Sequence, residues 1–258
     1  MPFVDLGDLR THYDLPQSDR PILVFSNSLG TDFSMWDPQL PELSQRFRVL
    51  RYDTRGHGQS SVTAGDYSIE QLGRDVLSLL DKLRLDRVHF CGLSMGGMIG
   101  IWLGIHSPDR LHRLVLCNTA ARIGTKEMWN ARIATVRKDA MKPVAAAVVE
   151  RWFTPEFRAA FPHKVARAQQ MLDATPPNGY AACCAAIRDM DHRDAVAQIK
   201  TPTLVIYGGK DPVTPQVDAQ FLTDNIRGSI KVELFAAHLS NVEQPDAFTQ
   251  AVNDFLSK

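Results

Sequence analysis

The chain has 258 residues, no formal net charge, 44% apolar residues and 22% charged ones. That is enough apolar sequence to bury a core in one large domain, or in one domain with an insertion. Balanced charge without blocks of one sign argues against nucleic acid or an anionic membrane as a main partner, and no apolar run reaches the length of a membrane span.

In chain order, residues 21–25 read as a buried strand and 47–52 as the next. Over 69–83, Leu72, Val76, Leu79, Leu80 and Leu83 recur at spacings of three and four, which predicts an amphipathic helix. A short apolar strand at 88–91 precedes a helix at 95–106 that is apolar on most faces, and 111–117 is another strand. Beyond residue 121 the alternation stops. Helical patterns cover 126–141, 144–153, 163–172 and 180–190, punctuated by Pro155, Pro162 and Pro176-Pro177. Strands resume at 203–207 and 230–235, and 245–256 is a last helix with Pro245 in its first turn.

Strands alternating with helices predict an α/β fold whose mostly parallel sheet carries helices on both faces. Residues 1–121 and 194–258 form that core. Residues 122–193 hold more helices than a crossover needs and are expected to form a lid. Cys91, Cys117, Cys183 and Cys184 include no C-x-x-C pair, so buried free thiols are expected. The N-terminus has no basic segment followed by an apolar one, and the expected location is cytoplasmic.

The run Cys91-Gly92-Leu93-Ser94-Met95-Gly96-Gly97 lies between a predicted strand and a predicted buried helix. A serine on such a turn resembles the nucleophile elbow of the α/β-hydrolase fold. Glycines leave room for tight backbone, and the helix N-terminus turns free N–H groups toward the serine. A serine hydroxyl needs a base to take its proton, usually a histidine oriented by a carboxylate. In this fold the order along the chain is serine, acid, histidine.

Of the eight histidines, only His238 follows both Ser94 and the last long strand patterns, on a loop before the final helix. The acid belongs on the loop after the preceding strand, where Gly208-Gly209-Lys210-Asp211-Pro212 supplies Asp211. Asp218 and Asp224 fall in the following helix and fit less well. Some hydrolases place the acid one strand earlier, but Leu116-Cys117-Asn118 has no carboxylate.

Acyl transfer also needs donors for the tetrahedral oxyanion. The Met95 N–H, just after the serine, is one candidate. The other is the Leu29 N–H in Ser26-Asn27-Ser28-Leu29-Gly30-Thr31, where many relatives carry His-Gly in place of Asn27-Ser28. The glycine-punctuated segment from Asp53 to Ser60 is assigned a structural role beside the site, because its spacing fails the phosphate-loop pattern. No His/Cys cluster has metal-ligand spacing, and no cofactor is expected.

Over nearly its whole length the sequence resembles the α/β-hydrolase superfamily and, more narrowly, 3-oxoadipate enol-lactonases. The resemblance rests on the 26–32 segment with Trp36, on residues 50–58, on the elbow, on Asn118-Thr119-Ala120-Ala121-Arg122-Ile123-Gly124, and on residues 183–189 and 237–244. It implies hydrolysis of 3-oxoadipate enol-lactone to 3-oxoadipate in aromatic catabolism, with Ser94, His238 and Asp211 as the triad.

Such a substrate carries a carboxylate, which calls for a cation in the pocket. Trp129 and Arg132, three apart on a predicted helix, are the preferred pocket wall and cation. Arg122 and Arg188 are alternatives, and for each of the three arginines, taken singly, a solvated position on an exposed face is the leading competing reading. A general carboxylesterase, a cofactor-free perhydrolase or haloperoxidase, and a non-catalytic ligand receptor remain open on the same motifs. So does a homo-oligomeric state.

Overall fold

The computed structural model describes residues 2–258. Two short antiparallel strands, β1 (Phe3–Asp5) and β2 (Arg10–Asp14), open the sheet. After β3 (Ile22–Ser26) come a 3-10 segment at Phe33–Gln39, the one-turn α1 (Leu40–Leu43) and β4 (Arg48–Tyr52). Next are α2 (Ile69–Lys82), β5 (Val88–Leu93), α3 (Met95–His106) and β6 (Leu111–Cys117). Five helices follow: α4 (Lys126–Asp139), α5 (Lys142–Trp152), α6 (Pro155–Ala160), α7 (Pro162–Ala174) and α8 (Pro177–Asp189). The chain finishes with β7 (Thr203–Gly208), α9 (Gln216–Asn225), β8 (Ile230–Leu234), the one-turn α10 (Ser240–Glu243) and α11 (Pro245–Leu256).

The eight strands lie in the order β1-β2-β4-β3-β5-β6-β7-β8. β2 is antiparallel to β1 and β4, and every pairing from β4 to β8 is parallel. Every residue of β5 and β7 is buried, as expected of strands covered on both faces. The direction of winding reverses at β3, with β4 on one side and β5 on the other. Open α/β sheets form their crevice beyond the strand ends at such a reversal. Here Ser26 pairs with Gly92, so the loop after β3 and the serine after β5 emerge side by side.

Local sequence explains the elements that carry this edge. Ser68 caps α2 by accepting the Gln71 N–H at 3.0 Å, an arrangement worth about 1 kcal/mol, and α2 buries Leu72, Val76, Leu79 and Leu80. α3 is buried from Met95 to Gly104, so it has no polar face. A Cβ on Gly92 would stand 2.1 Å from the Gly96 carbonyl oxygen, and one on Gly96 would stand 2.1 Å from the Ser26 carbonyl oxygen. Only glycine at both positions lets the start of α3 sit on the ends of β3 and β5.

The structure departs from the sequence pattern at three places. β1 and β2 carry no apolar run, because a short, mixed-polarity pair at the sheet border leaves much of its surface in water. The helix expected over 126–141 ends at Asp139: Ala140 takes φ 58°, and α5 starts afresh at Lys142. α6 starts at Pro155, which the sequence reading took as punctuation; proline is well placed in a first turn, and Thr154 caps the helix by accepting the Phe157 N–H. All four cysteines are free and buried. Among the described residues no helix is long and apolar enough to cross a membrane.

Candidate active site

Ser94 is the residue between β5 and α3, with φ 55° and ψ −114°. L-residues avoid this region, and such strain persists only where the surroundings fix the backbone. Its amide donates to the Cys117 carbonyl at 2.9 Å, and its own carbonyl accepts from the Thr119 hydroxyl at 2.7 Å and the Met98 amide at 3.0 Å. The neighbouring strand end and the first turn of α3 therefore hold the turn from both sides.

His238 follows β8 and Asp211 follows β7, both at the same edge of the sheet. His238 Nδ1 lies 2.8 Å from Asp211 Oδ2, and both side chains are buried. Asp211 also accepts from the Thr214 hydroxyl at 2.7 Å, the Val213 amide at 2.7 Å and the Asn118 side-chain amide at 2.9 Å. Burial by itself would push this carboxyl up. The His238 interaction and the bonds from Asn118 and Thr214 outweigh that, and the group is held below the usual carboxylate range. Nearby Asp218, in α9, is driven up to about 6 by burial and by the Asp211 charge, so it is the weaker anion of the two.

Ser94 and His238 open onto one small cavity. Leu29 lines it too. Around Leu29 and Met95 the other amides are spent. Gly30 N–H donates to His57 Nε2 at 2.9 Å, and Gly96 N–H donates to the Asn27 carbonyl at 3.0 Å. The Leu29 and Met95 amides have no protein acceptor among the described residues. The changed dipeptide is accommodated inside the protein: the Asn27 side chain donates to the Tyr52 carbonyl at 2.9 Å and accepts from Trp36 Nε1 at 2.9 Å.

The opposite wall comes from the helices between β6 and β7. Trp129, Arg132, Arg151, Trp152, Tyr180 and Ile187 face the same space. Arg132 stacks over Trp129, its guanidinium carbon 5.0 Å from the ring centroid. Burial and the Arg132 charge both lower the pKa of Arg151. Among the described residues neither guanidinium has a carboxylate partner within 4 Å. Two half-buried cations without an anion make a cavity that favours a carboxylate.

Arg122 and Arg188 are placed elsewhere. Arg122 lies 3.8 Å from Asp191, and Arg188 pairs with Asp189 at 2.6 Å. Neither lines the cavity.

A family model described as the alpha/beta hydrolase fold matches residues 21–243. The chain belongs to the α/β-hydrolase fold family. As a whole this α/β-hydrolase is 46% identical to "3-oxoadipate enol-lactonase 2" of Acinetobacter baylyi, over 100% of the chain and 99% of that protein. It is 42% identical to "3-oxoadipate enol-lactonase 1" of the same organism, over 92% and 88%. The crystal structure of the enol-lactonase from Burkholderia xenovorans LB400 superposes with a TM-score of 0.98 at 45% identity, each chain fully covered.

The sequence assigns no role to three residues around this α/β-hydrolase site. Arg151 ends a helix whose pattern did not say which face covers the serine. Asn118 stands where some relatives place the acid, and here it donates both to Asp211 and, at 3.1 Å, to the Ala237 carbonyl. Glu243 is a buried carboxylate in the one-turn helix after His238.

Proposed function

We propose that the chain hydrolyses 3-oxoadipate enol-lactone to 3-oxoadipate, with Ser94 as nucleophile, His238 as general base and acid, and Asp211 as its orienting carboxylate. One observation carries the substrate assignment. Two arginines without carboxylate partners, Arg132 and Arg151, line the cavity onto which Ser94 and His238 open. The similarity to enol-lactonases of the same length supports it.

In this reading the substrate carboxylate lies against Arg132 and Arg151, with Trp129 as the adjoining wall. Asp211 holds the His238 tautomer that leaves Nε2 free to accept the Ser94 proton. Ser94 Oγ attacks the lactone carbonyl, and the developing oxyanion takes the free Leu29 and Met95 amides. Collapse breaks the ring C–O bond. His238 returns its proton to the departing enolate oxygen, giving an enol that stays tethered to the acyl-enzyme. Water attacks the ester with His238 again as base, and Ser94 is regenerated. Tautomerisation of the enol to the ketone removes the oxygen that could re-close the ring. The helices α4–α8 act as a cap that limits bulk water around these charges.

The test is a substrate comparison on the purified protein. Loss of the enol-lactone is followed beside hydrolysis of a neutral aryl ester, with Ser94→Ala as control. A kcat/KM for the lactone well above that for the ester, abolished in Ser94→Ala, is the expected result. Preference for the neutral ester would make the protein a general esterase, and binding without turnover would make it a receptor.

A further inference from the structure

Glu243 is 7% exposed and serves no role in the chemistry above, yet its carboxylate joins two parts of the molecule. One oxygen accepts the Ala237 N–H at 2.9 Å, the residue immediately before His238. The other accepts the Thr154 hydroxyl, and the Thr154 N–H points at both oxygens, at 3.3 and 3.4 Å. Thr154 is the joint between α5 and α6 in the cap, two residues past Trp152, which lines the cavity. A second link runs alongside: the Leu239 N–H, just after His238, donates to the Trp152 carbonyl at 3.0 Å. His238 therefore sits between two hydrogen bonds that tie its loop to one cap joint. The Ala237 carbonyl is held in turn by Asn118.

Among the described residues no cation pairs with Glu243; three neutral donors satisfy it. An apolar residue there would leave these donors unpaired in the interior. The same side chain therefore bonds both the cap joint and the residue before His238.

We propose that Glu243 is a positioning residue that couples the cap to the His238 loop, so that His238 meets Asp211 and Ser94 in register only while the α5–α6 joint is seated. The proposal rests on the assignment of His238 as the base, but not on the identity of the lactone.

The test uses Thr154→Val, which removes the hydroxyl link on the cap side and leaves the Ala237 N–H its acceptor. Thr154→Ser, which keeps the hydroxyl, is the rescue variant, and Glu243→Ala removes the carboxylate's bonds to both Thr154 and Ala237 while leaving the Leu239–Trp152 bond. Two readouts are made on the full chain. The first is the downfield proton NMR resonance of the His238 Nδ1–H shared with Asp211, identified by its loss in His238→Gln. The second is acylation of Ser94 by a neutral aryl ester, which does not depend on the carboxylate pocket. Thr154→Val is expected to broaden or shift the resonance and to lower kcat about tenfold with KM little changed, as misplacement of a catalytic group does. Thr154→Ser is expected to retain both wild-type values.

An unchanged His238 resonance and unchanged kcat in Thr154→Val would overturn the coupling, even if Glu243→Ala fails to fold. A changed resonance in a protein that acts on the ester but not on the lactone would uphold the coupling and reject the substrate assignment alone.

Discussion

The Gly30 amide donates to His57 Nε2 at 2.9 Å, which fixes the turn beside Leu29, a residue that lines the cavity and whose own amide has no protein acceptor among the described residues. The bond requires His57 to be neutral with its proton on Nδ1, where the Arg55 carbonyl lies 3.4 Å away. Burial, opposed by smaller contributions from Arg55 and Asp32, lowers the pKa of His57 to about 4.

Acid stability follows from that difference. Between the ordinary histidine value near 6.5 and about 4, the unfolded chain binds a proton that folded His57 refuses. Stability is therefore full above about pH 6.5 and declines as the pH falls toward 4, by roughly 3 kcal/mol if His57 acted alone. His89, likewise lowered to about 4 chiefly by burial, adds in the same direction. Urea denaturation at pH 7, 6, 5 and 4.5 measures it, and His57→Gln should flatten the slope. An equal slope in that variant would assign the acid sensitivity elsewhere.

The two cavity arginines predict a split between charged and neutral substrates. Arg132→Ala and Arg151→Gln should each raise KM for the anionic lactone about tenfold or more, while leaving a neutral aryl ester within about twofold. Steady-state kinetics on both substrates decides it. Equal losses would mean the arginines shape the wall and do not select the carboxylate.

Legibility of the site in the sequence followed how each residue is placed. Ser94, Asp211 and His238 each end or follow an apolar strand run at one sheet edge, so chain order and punctuation pointed to them. Arg151 could not be found that way. It reaches the cavity only because α5 lies beside α4, and that contact is decided by packing among the helices between β6 and β7, not by a local pattern. Asn118 was noticed for lacking a carboxylate, but its hydrogen bonds run to residues 93 and 119 positions away. Glu243 lies in the 237–244 segment of the resemblance, but nothing local gives it a role, since its partner Thr154 is 89 residues distant. The helix boundary at Ala140 depends on one left-handed residue that is not glycine, and a sequence pattern carries no sign of it.

Asn118 gives a separate prediction. Its side chain donates to Asp211 Oδ2 and the Ala237 carbonyl and accepts from the Ser240 hydroxyl at 2.5 Å. Asn118→Ala strands all three. It also removes one of the bonds that hold the Asp211 carboxyl low, so its protonation should move to higher pH. The expected result is a kcat reduced about tenfold and an Asp211 carboxyl titration, followed by its 13C chemical shift, displaced upward in pH. A reduced kcat with an unmoved Asp211 titration would restrict Asn118 to holding the Ala237 loop.

Ser94 itself links backbone strain to activity. With φ 55° and ψ −114°, its conformation suits glycine and penalises any residue with a Cβ. Ser94→Ala keeps the Cβ and the penalty, whereas Ser94→Gly releases it. Both should lose activity by at least about a thousandfold, because neither offers a nucleophile. Their stabilities should differ in a direction that glycine rarely shows: Ser94→Gly is expected to be more stable than Ser94→Ala by about 1 kcal/mol, the usual range for such backbone strain after glycine's larger unfolded-state entropy is deducted. Parallel thermal and urea denaturation of the two variants measures the difference. If Ser94→Ala proved the more stable, the elbow would not be strained, and the hydrogen bonds from Thr119 and Met98 would be a sufficient account of its shape.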